Sequence, residues 1–186
     1  MTIYYTARAV FANDYDEDGL GWEGYRAWRN LPHLTEVVSL DCLLNKNLVP
    51  YGQNNFKYSE FPISREDRGT NFYESLDFVL KCKEPRERFN LLAVAIEPEE
   101  DCRNVKLNDF EFIGYDLLDD WYSISTLTNC GCIIPPYMPA DLNQYALLNN
   151  FTKAYEVQAS FLRDYSGQEH MDTRVIGIWR NMVYGR

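Results

Sequence analysis

The sequence predicts an α+β fold, with a mixed or mainly antiparallel sheet and one principal helix, residues 151–165, packed on one face. Several short segments alternate apolar and polar residues at the period of a strand, whereas one long segment repeats at the period of a helix. Strands followed by a helix, without regular βαβ alternation, are typical of this class. With 186 residues and a near-average apolar share of 46%, the chain is predicted to form one domain, residues 1–186.

Six segments have the pattern of strands: residues 2–11, 35–44, 90–97, 110–118, 123–128 and 174–182. Residues 90–97 and 174–182 are apolar on both faces, which indicates strands inside the sheet. The apolar phase of residues 110–118 shifts across Gly114, so a bulge or a close backbone approach is predicted there. Because a short link separates residues 112–118 from 123–128, these two segments are predicted to pair as a hairpin.

The helix at residues 151–165 has the clearest pattern in the chain. Asn149 or Asn150 can cap its start, and Gly167 can lie just past its end. Residues 73–83 fit a strand and a helix equally well, so that alternative stays open.

The chain is strongly acidic, with a formal net charge of −10 and a pI of about 4.7. A protein of this charge is repelled by the phosphates of nucleic acids and by anionic membrane surfaces, so neither is expected as a partner. The same charge attracts and steers a basic protein, which is therefore the predicted partner. Oligomeric state does not follow from these features.

The five cysteines indicate a reducing environment. Their number is odd, and their spacing contains no C-x-x-C pair, which argues against a disulfide framework. The first residues lack the basic and apolar regions of a signal peptide, and no apolar run has the roughly 20 residues that a membrane-spanning helix needs. The predicted localisation is cytoplasmic.

The common catalytic and nucleotide-binding motifs are absent from the sequence, so no catalytic residue and no cofactor is predicted. Whether the protein is an enzyme stays open, with the balance toward a non-enzyme. Asp14, Asp16 and Asp18 followed by Gly19 match the start of a calcium-binding loop, but Tyr25 stands where that loop needs a bidentate Glu. No metal site is therefore predicted, and calcium binding by this loop stays an open question.

Residues 97–122 contain nine acidic residues against two basic ones, which is most of the net charge. Near the end of this block, acidic side chains adjoin two large aromatic rings at a predicted hairpin tip. Rings can anchor a partner while carboxylates orient it. The predicted partner-binding residues are Asp116, Asp119, Asp120, Trp121 and Tyr122. The alternative is a small ligand-binding protein or hydrolase, in which acids and aromatics line a cleft.

Three segments of the C-terminal half, residues 114–119 (GYDLLD), 124–131 (ISTLTNCG) and 178–180 (IWR), resemble a family of small bacterial cytosolic proteins. That resemblance implies an α+β protein without an assigned active site. In its small size, acidity and aromatic content the chain is also similar to immunity proteins of bacterial toxin systems. The expected function is therefore an acidic protein-binding module, such as an immunity-type inhibitor of a basic bacterial toxin.

Overall fold

The computed structural model describes residues 1–12, 21–49, 71–85, 88–120, 122–128, 139–168 and 170–184. The helices and strands in chain order are β1 (Tyr4–Ala9), β2 (Phe11–Ala12), α1 (Gly21–Arg29), β3 (Glu36–Val37), α2 (Leu76–Cys82), β4 (Phe89–Ile96), β5 (Phe110–Asp119), α3 (Phe151–Asp164) and β6 (Thr173–Asn181). Together they form the α+β fold that the sequence predicts.

The main sheet has four strands in the order β1-β4-β6-β5, and every neighbouring pair is antiparallel. Strands β2 and β3 form a separate two-stranded pair. The two inner strands, β4 and β6, are buried along almost their whole length. This burial explains the apolar run in the middle of each strand, because a stretch covered on both faces keeps its side chains from water, whereas Arg174 near the start of β6 still reaches solvent.

One face of the main sheet is covered by α2 and α3. Val79 of α2 packs with Ala7 and Leu91, while Phe161 of α3 packs with Val175. Side chains of β4 and β6 that point the other way, such as Val94 and Ile178, contact a cover with little regular structure, which includes Val38, Leu40, Phe72, Tyr122 and Leu147. The core therefore consists of two layers of side chains with the sheet between them.

Both outer strands of the sheet are bonded to segments outside it. The free edge of β1 exchanges backbone hydrogen bonds with Tyr73, through Tyr5, and receives one from Leu48. The free edge of β5 exchanges bonds with Leu148, through Tyr115. These contacts satisfy backbone groups that would otherwise offer a template for pairing with another chain.

The bulge predicted at Gly114 is confirmed. The register of β5 against β6 shifts between Phe112 and Gly114, and Gly114 has a φ of +144°. A Cβ at this position would lie 2.7 Å from the Cβ of Leu147. The close approach brings Leu148 against β5, so the glycine is needed for both its backbone conformation and its lack of a side chain.

Helix α3 begins as the sequence predicts, with the side chain of Asn150 accepting a hydrogen bond from the backbone N–H of Lys153. It ends at Asp164, one residue before the predicted end, and Gly167 follows with a φ of +79°. The ambiguous residues 73–83 contain a helix, α2, whose start is capped by Ser75. The cap favours the helix over the strand, because the serine oxygen accepts a hydrogen bond from an N–H of the first helical turn that would otherwise have no partner.

Two predicted strands need correction. Within residues 35–44, strand pairing is limited to β3, and the residues that follow Val37 run as irregular backbone over the sheet. Within residues 123–128, pairing with β5 is reduced to a single bridge between Leu118 and Ser125. The hairpin contact itself exists, since Thr126 donates its N–H to the carbonyl of Leu117 at 2.9 Å. Polar side chains replace the missing ladder bonds in both segments.

Candidate partner-binding surface

The structure places three of the five predicted partner-binding residues in the interior. Asp116 is 0% exposed, Asp119 is 4% exposed and Tyr122 is 7% exposed. A docked protein cannot contact these side chains, so their predicted role as a contact surface needs correction. Asp120 is exposed, and Trp121 lies outside the described residues.

Asp119 organises the turn that follows β5. Its carboxylate accepts hydrogen bonds from the backbone N–H groups of Ser123 (2.8 Å) and Ile124 (3.2 Å), and Nδ1 of His170 lies 2.8 Å from its other oxygen. A carboxylate in this position serves the turn because it satisfies N–H groups that have no strand partner.

Asp116 holds the irregular cover onto the opposite side of the sheet. One of its oxygens accepts from the hydroxyl of Ser125 (2.5 Å) and the backbone N–H of Leu117 (2.8 Å). The other accepts from the backbone N–H of Leu40 (2.9 Å). Burial raises the pKa of Asp116 to about 6, against the effect of the three donors, and the charge of Asp41 adds to the rise.

Asp41 is the second fully buried carboxylate of this network. It accepts from the backbone N–H groups of Leu43 (2.9 Å), Leu44 (3.3 Å) and Ser125 (3.1 Å). The two aspartates therefore cross-link residues 39–45, residues 123–128 and β5. Neither is accessible to a substrate, so the raised pKa of Asp116 serves a structural network and not the acid-lined cleft of the alternative hypothesis.

Three exposed acids of the block lie in the turn after β4, and the other exposed acids are Asp109, Glu111 and Asp120. Glu97, Glu99 and Glu100 are all exposed, and Glu97 adopts a positive φ of 45°. Arg174 pairs with Glu97 at 2.9 Å and with Asp120 at 2.9 Å, so one positive charge is shared between these two carboxylates. Among the residues that the structure describes, Glu99 and Glu100 have no ion-pair partner.

An open groove of about 490 Å³ lies between this turn and the first residues of the chain. Its lining residues are Met1, Thr2, Tyr4, Ile96, Glu97, Pro98, Glu99 and Glu100. Tyr4 and Pro98 are buried beneath it, whereas its carboxylates reach solvent. We name these eight residues the acidic groove. It combines apolar contact area with unpaired negative charge.

The turn that carries these acids is held in place from the other side of the sheet. The hydroxyl of Tyr155 on α3 donates to the carbonyl of Pro98 at 2.7 Å, and Gln158 approaches Glu97 at 3.4 Å. The carboxylates of the acidic groove are therefore displayed on a fixed backbone, which lowers the entropy lost when a partner binds.

A second open groove, of about 470 Å³, is lined by Arg103, Glu111, Phe112, Ile113 and Asn149. It lies at the start of β5, at the opposite end of the sheet from the acidic groove. Its charges are mixed, one cation against one carboxylate. It therefore lacks the uniform sign that selects a basic partner.

No family model, curated protein or solved structure matches this chain. The surface of the described residues is therefore what indicates a function. In the described ranges, no group of three His, Cys, Asp or Glu residues lies close enough to hold a metal ion. Asp14, Asp16 and Asp18, together with Cys130 and Cys132, lie outside those ranges. None of the described helices is long and apolar enough to cross a membrane.

The sequence contained a signal for the acidic groove. Glu97, Pro98, Glu99 and Glu100 directly follow a strand that is apolar on both faces. Charged residues at the end of such a strand must leave the core together, and a proline there stops the ladder. This pattern predicts an exposed acidic surface at the start of the acidic block. The aromatic residues near the end of the block instead led to the prediction of a contact at Trp121.

Proposed function

We propose that this protein is a protein-binding module that recognises a basic segment of its partner in the acidic groove. The observation that carries the proposal is the pair Glu99 and Glu100, which is exposed beside apolar groove residues and has no compensating cation among the described residues. A lysine or arginine side chain can lay its methylene groups on Met1, which is exposed, and on Ile96, which is partly exposed, while its charged end meets a carboxylate.

The net charge of −10 supports this function, because it attracts basic proteins over distances beyond direct contact. The finer proposal is that the partner is a basic bacterial toxin and that binding inhibits it. Its support is the acidity and the likeness in character to immunity proteins. Asp120, which lies across Arg174 from Glu97, would extend the contact if the partner displaced that arginine from its two carboxylates.

The experiment compares three forms of the protein as baits in a lysate of the source organism. The forms are the wild type, the double variant Glu99→Gln/Glu100→Gln, and the control Glu111→Lys. Both variants change the net charge by two units, but Glu111 lies at the opposite end of the sheet. A basic protein retained by the wild type and the control, and lost from the double variant, would support the proposal.

The captured protein is then purified, and its affinity for the three forms is measured by calorimetry at low and high salt. Two charge-assisted contacts contribute about 1.5 kcal/mol each at the lower limit, so the double variant should bind roughly 100-fold more weakly. The wild-type affinity should fall as salt rises. Equal affinity of the double variant and the wild type would refute the acidic groove as the binding site. Co-expression with a toxic partner would test inhibition separately.

A further inference from the structure

Four buried polar atoms on the face of the main sheet opposite α2 and α3 have no hydrogen-bond partner among the described residues. They are Nε and Nη1 of Arg8, Oγ1 of Thr6 and Oδ1 of Asn90. Thr6 and Arg8 are 0% exposed, and Asn90 is 1% exposed. The remaining nitrogen of the guanidinium, Nη2, donates to the carbonyl of Leu40 (3.1 Å) and to Sγ of Cys42 (3.5 Å). Nearly all buried polar atoms in folded proteins have a partner, and a water or an ion supplies it where the protein does not.

The strands place these three side chains next to one another. Arg8 and Asn90 are register partners of β1 and β4, and Thr6 lies two residues before Arg8 on β1. Register partners of an antiparallel pair have Cβ atoms about 5 Å apart, and alternate residues of a strand share one face. The four unpartnered atoms therefore belong to one patch, between the sheet and the irregular cover that Arg8 reaches through Leu40.

The charges of this patch leave one cation without a counter-charge. Glu36 pairs with Arg180 on β6 at 2.9 Å and accepts from Nδ2 of Asn90 at 2.6 Å. No carboxylate of the described residues bonds Arg8. A guanidinium keeps its charge in the interior, and a buried charge is costly until an opposite charge joins it.

The two other buried carboxylates of the cover are bonded to other donors. Asp41 accepts from three backbone N–H groups, and Asp116 accepts from two backbone N–H groups and one hydroxyl. Their charges lower the positive potential around Arg8 without contact. The patch therefore suits an anion with one charge better than an anion with two.

The orientation of Asn90 adds a second requirement. A carboxylate can only accept, so the amide nitrogen of Asn90 faces Glu36, and the amide oxygen is left as the unpartnered atom. This oxygen needs a donor, whereas the N–H groups of Arg8 need an acceptor. A water molecule can bridge such atoms, but it does not compensate the charge of Arg8. An oxyanion that carries a hydroxyl group supplies the acceptor, the donor and the negative charge together.

We propose that Arg8, Thr6 and Asn90 bind a small monoanion that carries a hydroxyl group, of the class of bicarbonate and dihydrogen phosphate. Arg8 and the hydroxyl of Thr6 donate to the oxygens of the anion, and the hydroxyl of the anion donates to Asn90. The side chains of Glu36 and Arg180 beside the patch are 10% and 13% exposed. The irregular cover there has few ladder bonds to break, so the anion enters by local opening.

The test follows the urea midpoint of the intact protein at pH 7 as single anions are added at constant ionic strength. Bicarbonate is compared with nitrate, and phosphate with sulfate, because each pair shares its shape and only the first member carries a hydroxyl at this pH. Bicarbonate or phosphate should raise the midpoint in a saturable way, with an apparent affinity about tenfold or more above that of its counterpart. The pair that differs identifies the anion. Equal effects within both pairs, or no effect, would overturn the proposal, since water or a general salt effect would then suffice.

Variants locate the bound anion. Thr6→Val removes the hydroxyl with little change of shape and should weaken binding about tenfold. Thr173→Val is the matched control, since the hydroxyl of Thr173 is also buried and unpartnered but lies on β6 opposite Asp119. It should bind the anion as the wild type does. Equal affinity of Thr6→Val and Thr173→Val would refute this location.

Arg8→Met removes the cation and should abolish the response to the anion. Circular dichroism shows whether the variant folds. A folded Arg8→Met that still responds would refute the role of Arg8, and if it does not fold, the comparison of Thr6→Val with Thr173→Val decides. This proposal is independent of the acidic groove, whose carboxylates repel anions.

Discussion

The substitution Asp116→Asn should remove a pH dependence from the stability of this protein. The pKa of Asp116 rises from 3.8 in an unconstrained chain to about 6 in the fold, chiefly because of burial. Between these values the folded protein holds a proton that the unfolded chain has released. The free energy of unfolding therefore falls as pH rises through this window.

The two pKa values of Asp116 set the size of the effect. The proton linkage of this carboxyl stabilises the fold by roughly 1 kcal/mol at pH 5 and contributes almost nothing at pH 7. The wild type should thus lose roughly 1 kcal/mol of stability over this range from Asp116. With a denaturant slope of about 2 kcal/mol per molar urea, that loss moves the unfolding midpoint by roughly half a molar.

The assay is urea unfolding, followed by tryptophan fluorescence, at pH 5, 6 and 7. Asp116→Asn also alters hydrogen bonds, because its amide nitrogen can face the N–H of Leu40, and this cost of about 1–3 kcal/mol is present at every pH. The difference in unfolding free energy between wild type and variant should therefore shrink by roughly 1 kcal/mol from pH 5 to pH 7.

A second variant should enlarge the pH effect of Asp116 instead of removing it. Ser125→Ala removes the hydroxyl that donates to Asp116 at 2.5 Å and that lowers its pKa. The pKa of Asp116 should rise further, so the loss of stability should extend to higher pH. The reasoning is refuted if Asp116→Asn keeps the full pH dependence of the wild type, since Asp116 would then be ionised throughout.

Three other substitutions test single contacts through the urea midpoint or amide hydrogen exchange. Gly114→Ala should cost about 2–4 kcal/mol, because of its φ of +144° and the 2.7 Å approach to the Cβ of Leu147; a stable variant would show that β5 can shift. Tyr115→Phe removes the hydroxyl that accepts from the N–H of Cys102 at 2.8 Å, and should cost about 1–3 kcal/mol; an unchanged midpoint would mean that this N–H finds another acceptor. Asn150→Ala should cost about 1 kcal/mol and speed exchange in the first turn of α3; slow exchange there would argue against the cap.

The sequence predicted those parts of the fold that are determined by residues close to one another in the chain. Strands β4 and β6 lack a polar face over eight and nine residues, which decides their place inside the sheet. The cap at Asn150 depends on a contact three residues away. The shift at Gly114 changes which side chains face the core, so the pattern itself records the bulge.

Residues 38–41 were wrongly predicted to be part of a strand, because the group that their backbone bonds is distant in sequence. Val38, Ser39, Leu40 and Asp41 are all buried, so the alternation of apolar and polar residues does not reflect one covered face. The backbone N–H of Leu40 bonds a carboxylate 76 residues away in place of a neighbouring strand. A period-two pattern cannot distinguish these situations, since both bury alternate apolar residues.

The burial of Asp116 and Asp119, two of the five predicted contact residues, escaped prediction for a related reason. From the sequence we expect the side chains of Asp116 and Asp119 to face solvent, because carboxylates are seldom fully buried. Their burial depends on donors from residues 40 and 123–125, and sequence pattern gives no information on such pairing. The charge of the block, by contrast, follows from composition, and three of its exposed acids lie in the turn after β4.

The strand order has a consequence for synthesis of the chain. Strand β6 lies between β4 and β5, although it follows both of them in the chain and leaves the ribosome after them. Until residues 173–181 emerge, β4 and β5 have no contact through the ladder, and the emerging chain can pair β1 with β4 alone. A two-stranded pair is marginally stable in water, so the main sheet is completed only after residues 173–181 have emerged, in one step that joins distant parts of the chain. Until that step the emerged chain exposes apolar strands, which chaperones can hold.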